Sequence, residues 1–389
     1  MPDAELVLCL NAGSSSLKFA LFRCENQNET QLASGTVERL GTAEARAVLH
    51  SPGEPVTEAC PNATPQQALD AAFTLLDSRG LPPATLVGHR IVHGGRAHLQ
   101  ATRVDATLLA ELKQLIPLAP LHLPAGISGI ESALARLPHV PHVACFDTSF
   151  HAHLPDYAAR FPLPNRLYDE GIRRYGFHGL SYEYVLSTLG NPPPSRVIIA
   201  HLGNGASLAA IQDGRSVDTT MGFTPAGGIL MGTRAGDLDP GLVLYLLREK
   251  GFSSETLETL LNHESGLLGV GGSADVRTLT ERRDRDHDPQ ATLALSMLGY
   301  AVRKVIGSYL AVLGGLDALV FTGGIGEHSA AVREEACCGL SPLGIELDPA
   351  QNAANAREIQ RAGSCSVLVV PTDEDRMIAR HARALVHPA

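Results

Sequence analysis

Two arginines stand in segments where an arginine needs a negatively charged partner. Arg90 lies inside the apolar run 86–92, and Arg234 lies between the glycines of 231–236. A guanidinium is seldom buried without a carboxylate or phosphate, and its planar fork can hold either group with two hydrogen bonds. The pair is therefore a candidate clamp for a carboxylate and a phosphoryl group; the alternative is two internal ion pairs.

An aspartate and a histidine are further candidates for a functional site. Asp147 comes directly after the apolar run 140–146, where α/β folds place functional carboxylates, although a capping aspartate is equally compatible. His178 is flanked by glycines and aromatic residues and is either a site histidine or an ordinary loop histidine. His151 and His153 lack a third ligand, so they do not predict a metal site.

Glycine-rich turns follow strand candidates at 11–16, 203–205, 269–273 and 323–326. Glycine lets backbone amides approach an anion, and a helix that starts after such a turn adds its positive end. The 323–326 turn fits best, with a helix expected from Ser329. Each turn alone is as compatible with a plain connection, but together they favour a nucleotide.

Lys18 closes a segment that superficially resembles a phosphate-binding Walker loop. The spacing fails, because no second glycine precedes the lysine. Strand alternation places Ser16 and Lys18 on one face, so the lysine either reaches a terminal phosphate or remains a solvated hairpin residue.

Alternating strand and helix patterns must position these residues, and they predict an α/β fold with helices around mixed sheets. Strands are predicted at 6–10, 17–22, 86–92, 140–146, 196–200, 207–211, 316–321 and 367–370. Helices are predicted at 66–78, 105–116, 125–137, 240–250, 255–261, 290–313 and 377–385. Residues 151–174 are expected to be a loop-dominated connection and residues 284–288 an exposed loop. The pairs Ser16-Leu17 and Ser207-Leu208 each follow a strand and a turn, which indicates a duplicated hairpin, one per domain.

Composition bounds the function classes. The chain has 389 residues, 41 acidic against 31 basic side chains, a net charge of −10 and 44% apolar residues. The length fits two domains or one large one, and the apolar fraction excludes wholesale disorder. The acidic balance argues against nucleic acid or an anionic membrane as partner.

The seven cysteines form no C-x-x-C pair, and we expect them to be reduced, with Cys337 and Cys338 as neighbouring buried thiols. No apolar run approaches the length of a membrane span, and residues 1–5 do not resemble a signal peptide. The expected location is therefore the cytoplasm.

These motifs together resemble the acetate kinases, the acetokinase family of the actin-like superfamily that also holds sugar kinases and heat-shock ATPases. The matching segments run in family order through nearly the whole chain: N-A-G-S-S-S-L-K (11–18), H-R-I-V-H-G-G (89–95), A-P-L-H (119–122), F-D-T-S-F-H (146–151), R-Y-G-F-H-G (174–179), A-H-L-G-N-G-A-S (200–207), M-G-T-R-A-G-D-L-D-P-G (231–241), F-T-G-G-I-G-E (321–327) and P-T-D-E (371–374).

The resemblance implies a two-domain actin-like fold, a duplicated ribonuclease H-like unit with mixed sheets flanked by helices and a cleft that closes over the substrates. It places residues 1–148 and a C-terminal helix at about 376–389 in a first domain, on the substrate and phosphate side. Residues 149–375 then form the nucleotide-binding domain.

The resemblance also implies reversible, Mg²⁺-dependent in-line transfer of the ATP γ-phosphoryl group to acetate, giving acetyl phosphate and ADP. Mn²⁺ is a possible substitute, and a homodimer is the family expectation. Arg90 would hold the carboxylate, Arg234 the carboxylate or the phosphoryl group, and His178 and Asp147 would act on the transition state and the substrate or metal network.

The remaining site residues are implied in the same way. Asn11 and Glu374 match the metal positions. The family positions that surround the acetate and its methyl group correspond to Val92, Leu121, His122, Phe177 and Pro225. The ATP-contacting positions match Lys18, His201, Leu202, Gly203, Asn204, Gly205, Asp275, Val276, Arg277, Gly324, Ile325, Gly326, Glu327 and His328.

The chain departs from the usual family pattern beside the site, at Leu123, Leu180, Tyr182, His328 and Asp373. The usual residue at position 182 is a second histidine, and we expect Tyr182→His to leave fold stability nearly unchanged. Two other functions stay open: a propionate or butyrate kinase of the same family, because one methylene is worth only about 1–3 kcal/mol, and a non-catalytic actin-like nucleotide-binding module.

Overall fold

The structure is a computed structural model that describes residues 5–13, 15–25 and 28–387. Ser14 of the 11–18 motif and residues 1–4, on which the signal-peptide prediction rests, lie outside the described residues. The chain divides into two compact units, one formed by the residues up to Ser149 and those from Asp373 onward, the other by Phe150–Thr372. The substrate and nucleotide roles expected for the two domains remain predictions.

Strands and helices alternate along the chain. The strands are β1 (Glu5–Ala12), β2 (Ser16–Glu25), β3 (Asn28–Glu38), β4 (Arg46–His50), β5 (Val56–Ala59), β6 (Leu86–Ile91), β7 (Thr102–Arg103), β8 (His142–Phe146), β9 (Arg196–Leu202), β10 (Ala206–Gln212), β11 (Arg215–Thr219), β12 (Ala318–Thr322) and β13 (Ser366–Val369). The helices are α1 (Pro65–Ser78), α2 (Ala106–Gln114), α3 (Leu123–Arg136), α4 (Asp156–Ala159), α5 (Asn165–Asp169), α6 (Gly179–Ser187), α7 (Pro240–Glu249), α8 (Ser254–His263), α9 (Gly266–Gly271), α10 (Val276–Asp286), α11 (Pro289–Leu313), α12 (Gly323–His328), α13 (Ala330–Cys337), α14 (Pro349–Ala353) and α15 (Glu374–Val386).

The two sheets repeat one arrangement of five strands. In the first unit the order β3-β2-β1-β6-β8 lies inside a larger sheet, and in the second unit the order is β11-β10-β9-β12-β13. In both, the central strand pairs antiparallel with the next strand of its hairpin and parallel with the strand on its other side. The duplicated hairpin is confirmed, and the fold is α/β with two mixed sheets flanked by helices.

The first sheet is covered on both faces, as a sheet with parallel strands requires. Leu8 and Leu10 of β1 belong to a core that includes residues of α1 and α3. On the other face α15 packs against β1, β6 and β8. The approach is close at Gly88, where a Cβ would lie 2.4 Å from Cγ2 of Ile378. This glycine allows α15 to lie directly on the strand that carries Arg90.

The second sheet has α6 on one face. Tyr182 and Val185 of that helix share a core cluster with Val197 and Ile199 of β9, while α11 also packs against β9 and β10. Helix α11 begins at the cap Asp288, which accepts from the N–H groups of Gln290 and Ala291, and ends at left-handed Gly314. The sequence pattern missed α6, because its residues are buried nearly all round and show no polar face.

Three predicted connections are wrong. Residues 284–288 are not simply a loop, since α10 extends to Asp286; its exposed charged residues are compatible with a solvent-facing helix. The glycines of 269–273 follow no strand, because α9 contains Gly271 and ends at left-handed Gly272. The glycines of 323–326 are not a plain turn but begin an additional helix, α12, while the helix expected from Ser329 is confirmed as α13, with Ser329 as its N-cap.

The cysteines are free among the described residues. Cys9, Cys24, Cys145 and Cys337 are buried, as expected for core thiols, but Cys338 is exposed. The prediction of two neighbouring buried thiols is therefore wrong at Cys338, because it follows the last residue of α13, where the chain leaves the helix.

Two buried histidines lack the hydration that their charged form would need. His89 lies on β6 with its Nε2 2.9 Å from Nδ1 of His142, and burial lowers the pKa of His89 to about 3. His151 uses Nδ1 toward Ser216 and Nε2 toward the Phe177 carbonyl, and burial lowers its pKa to about 4. Both ring nitrogens of His151 thus serve the fold rather than a metal.

We expect the protein to lose stability as the pH falls below about 6.5. An unfolded histidine takes up a proton there, whereas His89 and His151 stay neutral in the folded state until a much lower pH. The unfolded state then binds more protons, so the free energy of unfolding falls by about 1.4 kcal/mol per pH unit for each histidine. Urea unfolding between pH 7.5 and 5.5 measures this slope.

His151→Gln removes one of these groups and should flatten the slope by about 1.4 kcal/mol per pH unit. His153→Gln is the matched control, because His153 is exposed in the same segment. An unchanged slope in the His151 variant contradicts this account.

Candidate active site

The first unit gathers oxygen donors around one guanidinium. Nε and Nη2 of Arg90 donate to Oδ1 and Oδ2 of Asp147, at 3.1 and 2.5 Å. Nη1 donates to Oδ1 of Asn11 at 3.3 Å, and Oε2 of Glu374 lies 3.5 Å from Nε. The structure thus brings together four residues predicted for the site.

The sheet explains this assembly. Arg90 lies on β6 and Asp147 directly follows β8, and these strands are parallel neighbours with Ile91 opposite Phe146. Asn11 is on β1, the strand on the other side of β6. Glu374 is the first residue of α15. The cluster therefore forms where neighbouring strands end, the usual location of sites in α/β sheets.

Burial and charge together set the ionisation of this cluster. Burial alone would lower the pKa of Arg90, but Asp147 and Glu374 raise it above its ordinary value. Burial raises the pKa of the Asp147 carboxyl to about 6, and the contact with Arg90 opposes that rise. At neutral pH the cluster is an ion pair between a cation and an aspartate whose side chain is only 1% exposed.

Asn11, Asp147 and Glu374 are compatible with a divalent metal such as Mg²⁺. This ion prefers oxygen ligands and usually takes one or two protein carboxylates, while waters and substrate phosphates complete its shell. Within the described part of the chain, no group of three or more His, Cys, Asp or Glu residues could hold a metal ion. An ion held by these residues would take its remaining ligands from water or substrate.

Three further charged residues accompany this cluster: Lys18, Asp373 and Asp375. Lys18 lies opposite Asn11 in the β1–β2 hairpin and is exposed. Burial and the charges of Glu374 and Asp373 raise the pKa of Asp375 to about 7, whereas Lys18 opposes the rise. Asp373, one of the departures from the family pattern, caps α15 by accepting from the N–H of Arg376 at 2.9 Å.

The second unit holds a cluster of two histidines and an arginine near the turn between β9 and β10. His178 and His201 stack with ring centroids 4.2 Å apart. Nη1 of Arg234 donates to the Pro225 carbonyl at 3.1 Å, and burial lowers the pKa of Arg234. A Cβ at Gly205 would lie 3.4 Å from both Nη1 of Arg234 and Nε2 of His178. Both nitrogens therefore lie beside Gly205.

The glycine-rich helix α12 has its first amide occupied by the chain itself. The Gly323 N–H donates to Oε1 of Glu327 at 2.9 Å, and the Thr372 N–H donates to the same oxygen at 3.2 Å. The Glu327 carboxylate thus connects the first residue of α12 with the segment at Thr372, both within the second unit. Its neighbour His328 has a side chain that is 77% exposed.

The remaining nucleotide-site predictions fall on the same unit but on different elements. Asp275 caps α10 and accepts from Nε and Nη2 of Arg277, which lowers the pKa of Asp275. Asn204 is exposed on the turn after β9, and its carbonyl accepts from the N–H of Gly232 at 3.2 Å. Leu202 and Val276 are buried, so we expect only their backbones to face a ligand.

The residues predicted for the acetate methyl divide between the units. Val92 follows β6 and is half-buried, Leu121 is 37% exposed, and His122 precedes α3. In the second unit Phe177 is buried and Pro225 is half-buried. A common methyl pocket for these residues remains a prediction.

Sequence reasoning missed the hydroxyl groups that hold the two histidines. Nδ1 of His178 is 2.9 Å from Oγ of Ser207, and Nδ1 of His201 is 2.8 Å from Oγ of Ser181. Ser207 could have been found, since it ends the 200–207 motif and repeats the position of Ser16. Ser181 lies outside the matching motifs, and no feature of the sequence marks it as a partner of His201.

The structure reverses the expectation for Tyr182→His. Tyr182 is fully buried, hydrogen bonds to Ser207 at 2.5 Å and stacks on Phe150. A smaller polar ring leaves a cavity and an unmatched hydrogen bond, so we expect a loss of about 2–3 kcal/mol in the free energy of unfolding. Urea unfolding measures it; a loss below about 0.5 kcal/mol would restore the original expectation.

Comparison with known proteins identifies the class. The acetokinase family model matches residues 6–380. The acetate kinase of Streptomyces coelicolor is 45% identical over 396 aligned residues, covering 98% of this chain and 97% of that protein. The crystal structure of a propionate kinase from Francisella tularensis superposes with a TM-score of 0.92 at 36% identity, covering 97% and 99% of the two chains. That of Porphyromonas gingivalis acetate kinase gives 0.89 at 36% identity, covering 98% and 100%.

These relatives are carboxylate kinases with the same α/β architecture, and their likeness extends over the whole chain. The chain belongs to the acetokinase family. The predicted family and fold class are therefore confirmed. Within the described residues, no helix is both long enough and apolar enough to cross a membrane.

Proposed function

We propose that this protein transfers the γ-phosphoryl group of ATP to acetate, reversibly, giving acetyl phosphate and ADP. Family membership supports the reaction class, and the observation that carries the proposal is the Arg90 cluster. A half-buried guanidinium, in contact with oxygen atoms of Asp147, Asn11 and Glu374, suits a small carboxylate. A nucleotide-binding module without catalysis would have no use for it.

The reaction needs charge neutralisation more than a base. Acetate is ionised at neutral pH and is already a nucleophile, so the obstacle is to bring it to an anionic phosphoryl group. Nη1 of Arg90, whose contact with Asn11 is the longest hydrogen bond of the cluster at 3.3 Å, is the edge that we assign to the carboxylate. Asp147 holds the other edge and so orients Arg90 rather than abstracting a proton.

The second unit supplies donors for the phosphoryl group. We assign Nη1 of Arg234 and Nε2 of His178 to the oxygens that gain charge in the transition state, since both nitrogens lie beside Gly205. The turn 203–205, Lys18 and the segments 275–277 and 324–328 are proposed to contact ATP. No side chain of these clusters is needed as a phosphate carrier, so we propose direct in-line transfer.

A divalent ion, Mg²⁺ or alternatively Mn²⁺, is part of the proposal, with Asn11 and Glu374 as the residues that hold it beside Asp147. When bound, such an ion neutralises phosphate charge and fixes the phosphate geometry. The free thiols support a cytoplasmic location, because reduced cysteines are typical of that compartment.

The test is a hydroxylamine trap. The protein, MgATP and hydroxylamine are mixed with acetate, propionate or butyrate, and the acyl hydroxamate is read by colour. Strong signal with acetate that falls with chain length supports the proposal. No signal with any acid, in a protein that binds ATP, would contradict it and favour a nucleotide-binding module.

Propionate is the second candidate substrate. The F. tularensis propionate kinase has the higher TM-score of the two solved structures compared above, and one methylene changes binding by only about 1–3 kcal/mol. A hydroxamate signal that peaks with propionate would keep the mechanism and change the substrate.

We also propose a homodimer that uses the apolar face of α7. The helix has no buried residue, although five of its ten residues, 242–244 and 246–247, are aliphatic. Leu242, Leu244 and Tyr245 are between 43% and 48% exposed. Its charged side chains, Arg248 and Glu249, lie at one end. An exposed apolar surface of this kind marks a protein interface, and its low charge lets two copies face each other.

We expect Leu244→Glu to convert the dimer to monomers, because it would place two like charges in the proposed interface. Light scattering after gel filtration measures the mass. Leu343→Glu is the control, since Leu343 is 54% exposed but lies on another surface element. A wild-type protein that is monomeric, or a Leu244 variant that stays dimeric, contradicts the interface.

A further inference from the structure

The two stacked histidines of the second unit are held by matching pairs of hydroxyl groups. The Tyr182 hydroxyl lies 2.5 Å from Oγ of Ser207, which lies 2.9 Å from Nδ1 of His178. The Thr372 hydroxyl donates to Oγ of Ser181 at 2.8 Å, and that oxygen lies 2.8 Å from Nδ1 of His201. In each case a hydroxyl, a serine and an imidazole form one chain.

The direction of hydrogen bonding through Ser207 follows from the chemistry of its neighbours. A phenol is a better donor and a poorer acceptor than an aliphatic hydroxyl, so Tyr182 donates to Ser207. Both residues are fully buried, and among the described residues these two contacts are the hydrogen bonds of the Ser207 hydroxyl. Its proton is satisfied only by Nδ1 of His178, and leaving it unsatisfied would be costly.

We infer that Tyr182, acting through Ser207, is a positioning residue that fixes His178 as the tautomer with its proton on Nε2. The inference rests on the proposed function for its catalytic consequence. Because Ser207 donates to Nδ1, the ring carries its proton on Nε2, the nitrogen that lies beside Gly205. The site then presents an N–H donor to a phosphoryl oxygen.

Two further observations agree with a fixed, neutral ring. His178 has a φ of 60°, in the left-handed region that a non-glycine residue adopts only at a cost, and strain of this kind concentrates at functional positions. The ring also stacks on His201 at 4.2 Å. Two charged imidazolium rings at that distance would repel each other, whereas two neutral rings held through Nδ1 do not.

The relay depends on the residue type at position 182. A tyrosine there supplies a hydroxyl to Ser207 from within α6. Tyr182 contacts no reacting atom in this account. It strengthens the donor character of Ser207, since hydrogen bonds in a chain polarise one another.

The first test is spectroscopic and uses the whole protein without substrates. Nitrogen-15 NMR of histidine-labelled protein, with His178 assigned by His178→Gln, distinguishes a protonated from an unprotonated ring nitrogen. We expect Nε2 protonated and Nδ1 unprotonated at pH 7.5. A ring protonated on Nδ1, alone or together with Nε2, overturns the inference.

The second test uses graded variants in the hydroxamate assay. Ser207→Ala should lower kcat about thirtyfold and Tyr182→Phe about fivefold, with KM for acetate and ATP within about twofold. Tyr175→Phe is the matched control, since its buried hydroxyl donates to the Gly171 carbonyl at 2.8 Å. It removes a buried phenol hydroxyl from the same unit without touching His178, and kcat should stay near the wild-type value.

The NMR signal in Tyr182→Phe should show a measurable population of the other tautomer, and the Tyr175 variant should not. Equal kcat and an unchanged spectrum in Tyr182→Phe overturn the role of the tyrosine. Wild-type protein that lacks hydroxamate activity with every acid, yet shows the Nε2 tautomer, would contradict the proposed function and leave the relay standing.

Discussion

Arg90→Ala should lower kcat/KM for acetate by at least about 100-fold, mainly through a higher KM for acetate. The guanidinium is the candidate group for the substrate carboxylate, and a bidentate charged contact of this kind is worth several kcal/mol when buried. Arg234→Ala should instead act mainly on kcat, because we assign its Nη1, beside Gly205, to the phosphoryl group. Steady-state assays that vary acetate and ATP separately divide the two effects.

The Arg90 variant also leaves Asp147 buried without its cation. Removal of one partner of a buried pair is expected to cost about 3–5 kcal/mol, so the variant must be shown to be folded before its kinetics are interpreted. Arg90→Lys keeps the charge but lacks the planar guanidinium that binds a carboxylate with two hydrogen bonds. It should therefore recover more of the free energy of unfolding than of the acetate affinity. Arg103→Ala, an exposed arginine on β7 of the same unit, should behave like wild type. Less than a tenfold change in both Arg90→Ala and Arg234→Ala would refute the carboxylate clamp.

The sequence predicts that Arg90 needs an anionic partner but does not identify it. The partner, Asp147, becomes a neighbour only through the parallel pairing of β6 with β8. Strand order is a property of the whole sheet, so an isolated apolar run around Arg90 cannot reveal which strand lies beside it. Glu374 reaches the same guanidinium because α15 packs back on that sheet. The family motifs supplied these residues together, and the geometry explains why they belong together.

Two helices differ from the usual contrast between one buried face and one solvent-facing face. Helix α6 lacks a polar face. Helix α10 buries Val276 and Leu279 near its start, but its end is so rich in charge that the last turn resembles a loop. Tyr182 was misjudged for the same reason, since its burial comes from packing against Phe150 and the strands.

The strongest case of a residue hidden from the sequence is Arg333, which lies on α13 and is fully buried. Its neighbours on the helix, Glu334 and Glu335, give the segment the appearance of a charged surface. Nη1 donates to the carbonyls of Gly326 and Glu327 at 2.8 and 3.1 Å. Nε and Nη2 donate to the side-chain and backbone oxygens of Asn352 at 2.7 and 2.8 Å. One guanidinium thus joins α12, α13 and α14.

Arg333→Met should therefore destabilise the protein by about 3–5 kcal/mol, because it leaves buried carbonyl and amide oxygens without donors. Burial lowers the pKa of Arg333 to about 10, so the side chain is still charged at neutral pH. Urea unfolding at pH 7.5 measures the loss. Because Arg333 also fixes the carbonyls at the end of α12, a segment assigned to ATP, the surviving folded enzyme should show a higher KM for ATP and an unchanged KM for acetate.

Two variants test whether the network, rather than the charge, is responsible. Arg333→Lys keeps a cation but cannot serve two carbonyls and Asn352 together, so it should recover less than half of the lost stability. Arg285→Met removes an arginine whose side chain is 76% exposed in the same unit, and it should leave unfolding nearly unchanged. A loss below about 1 kcal/mol in Arg333→Met, or full recovery by lysine, would mean that water or neighbouring side chains satisfy these oxygens and that α12 does not depend on this arginine.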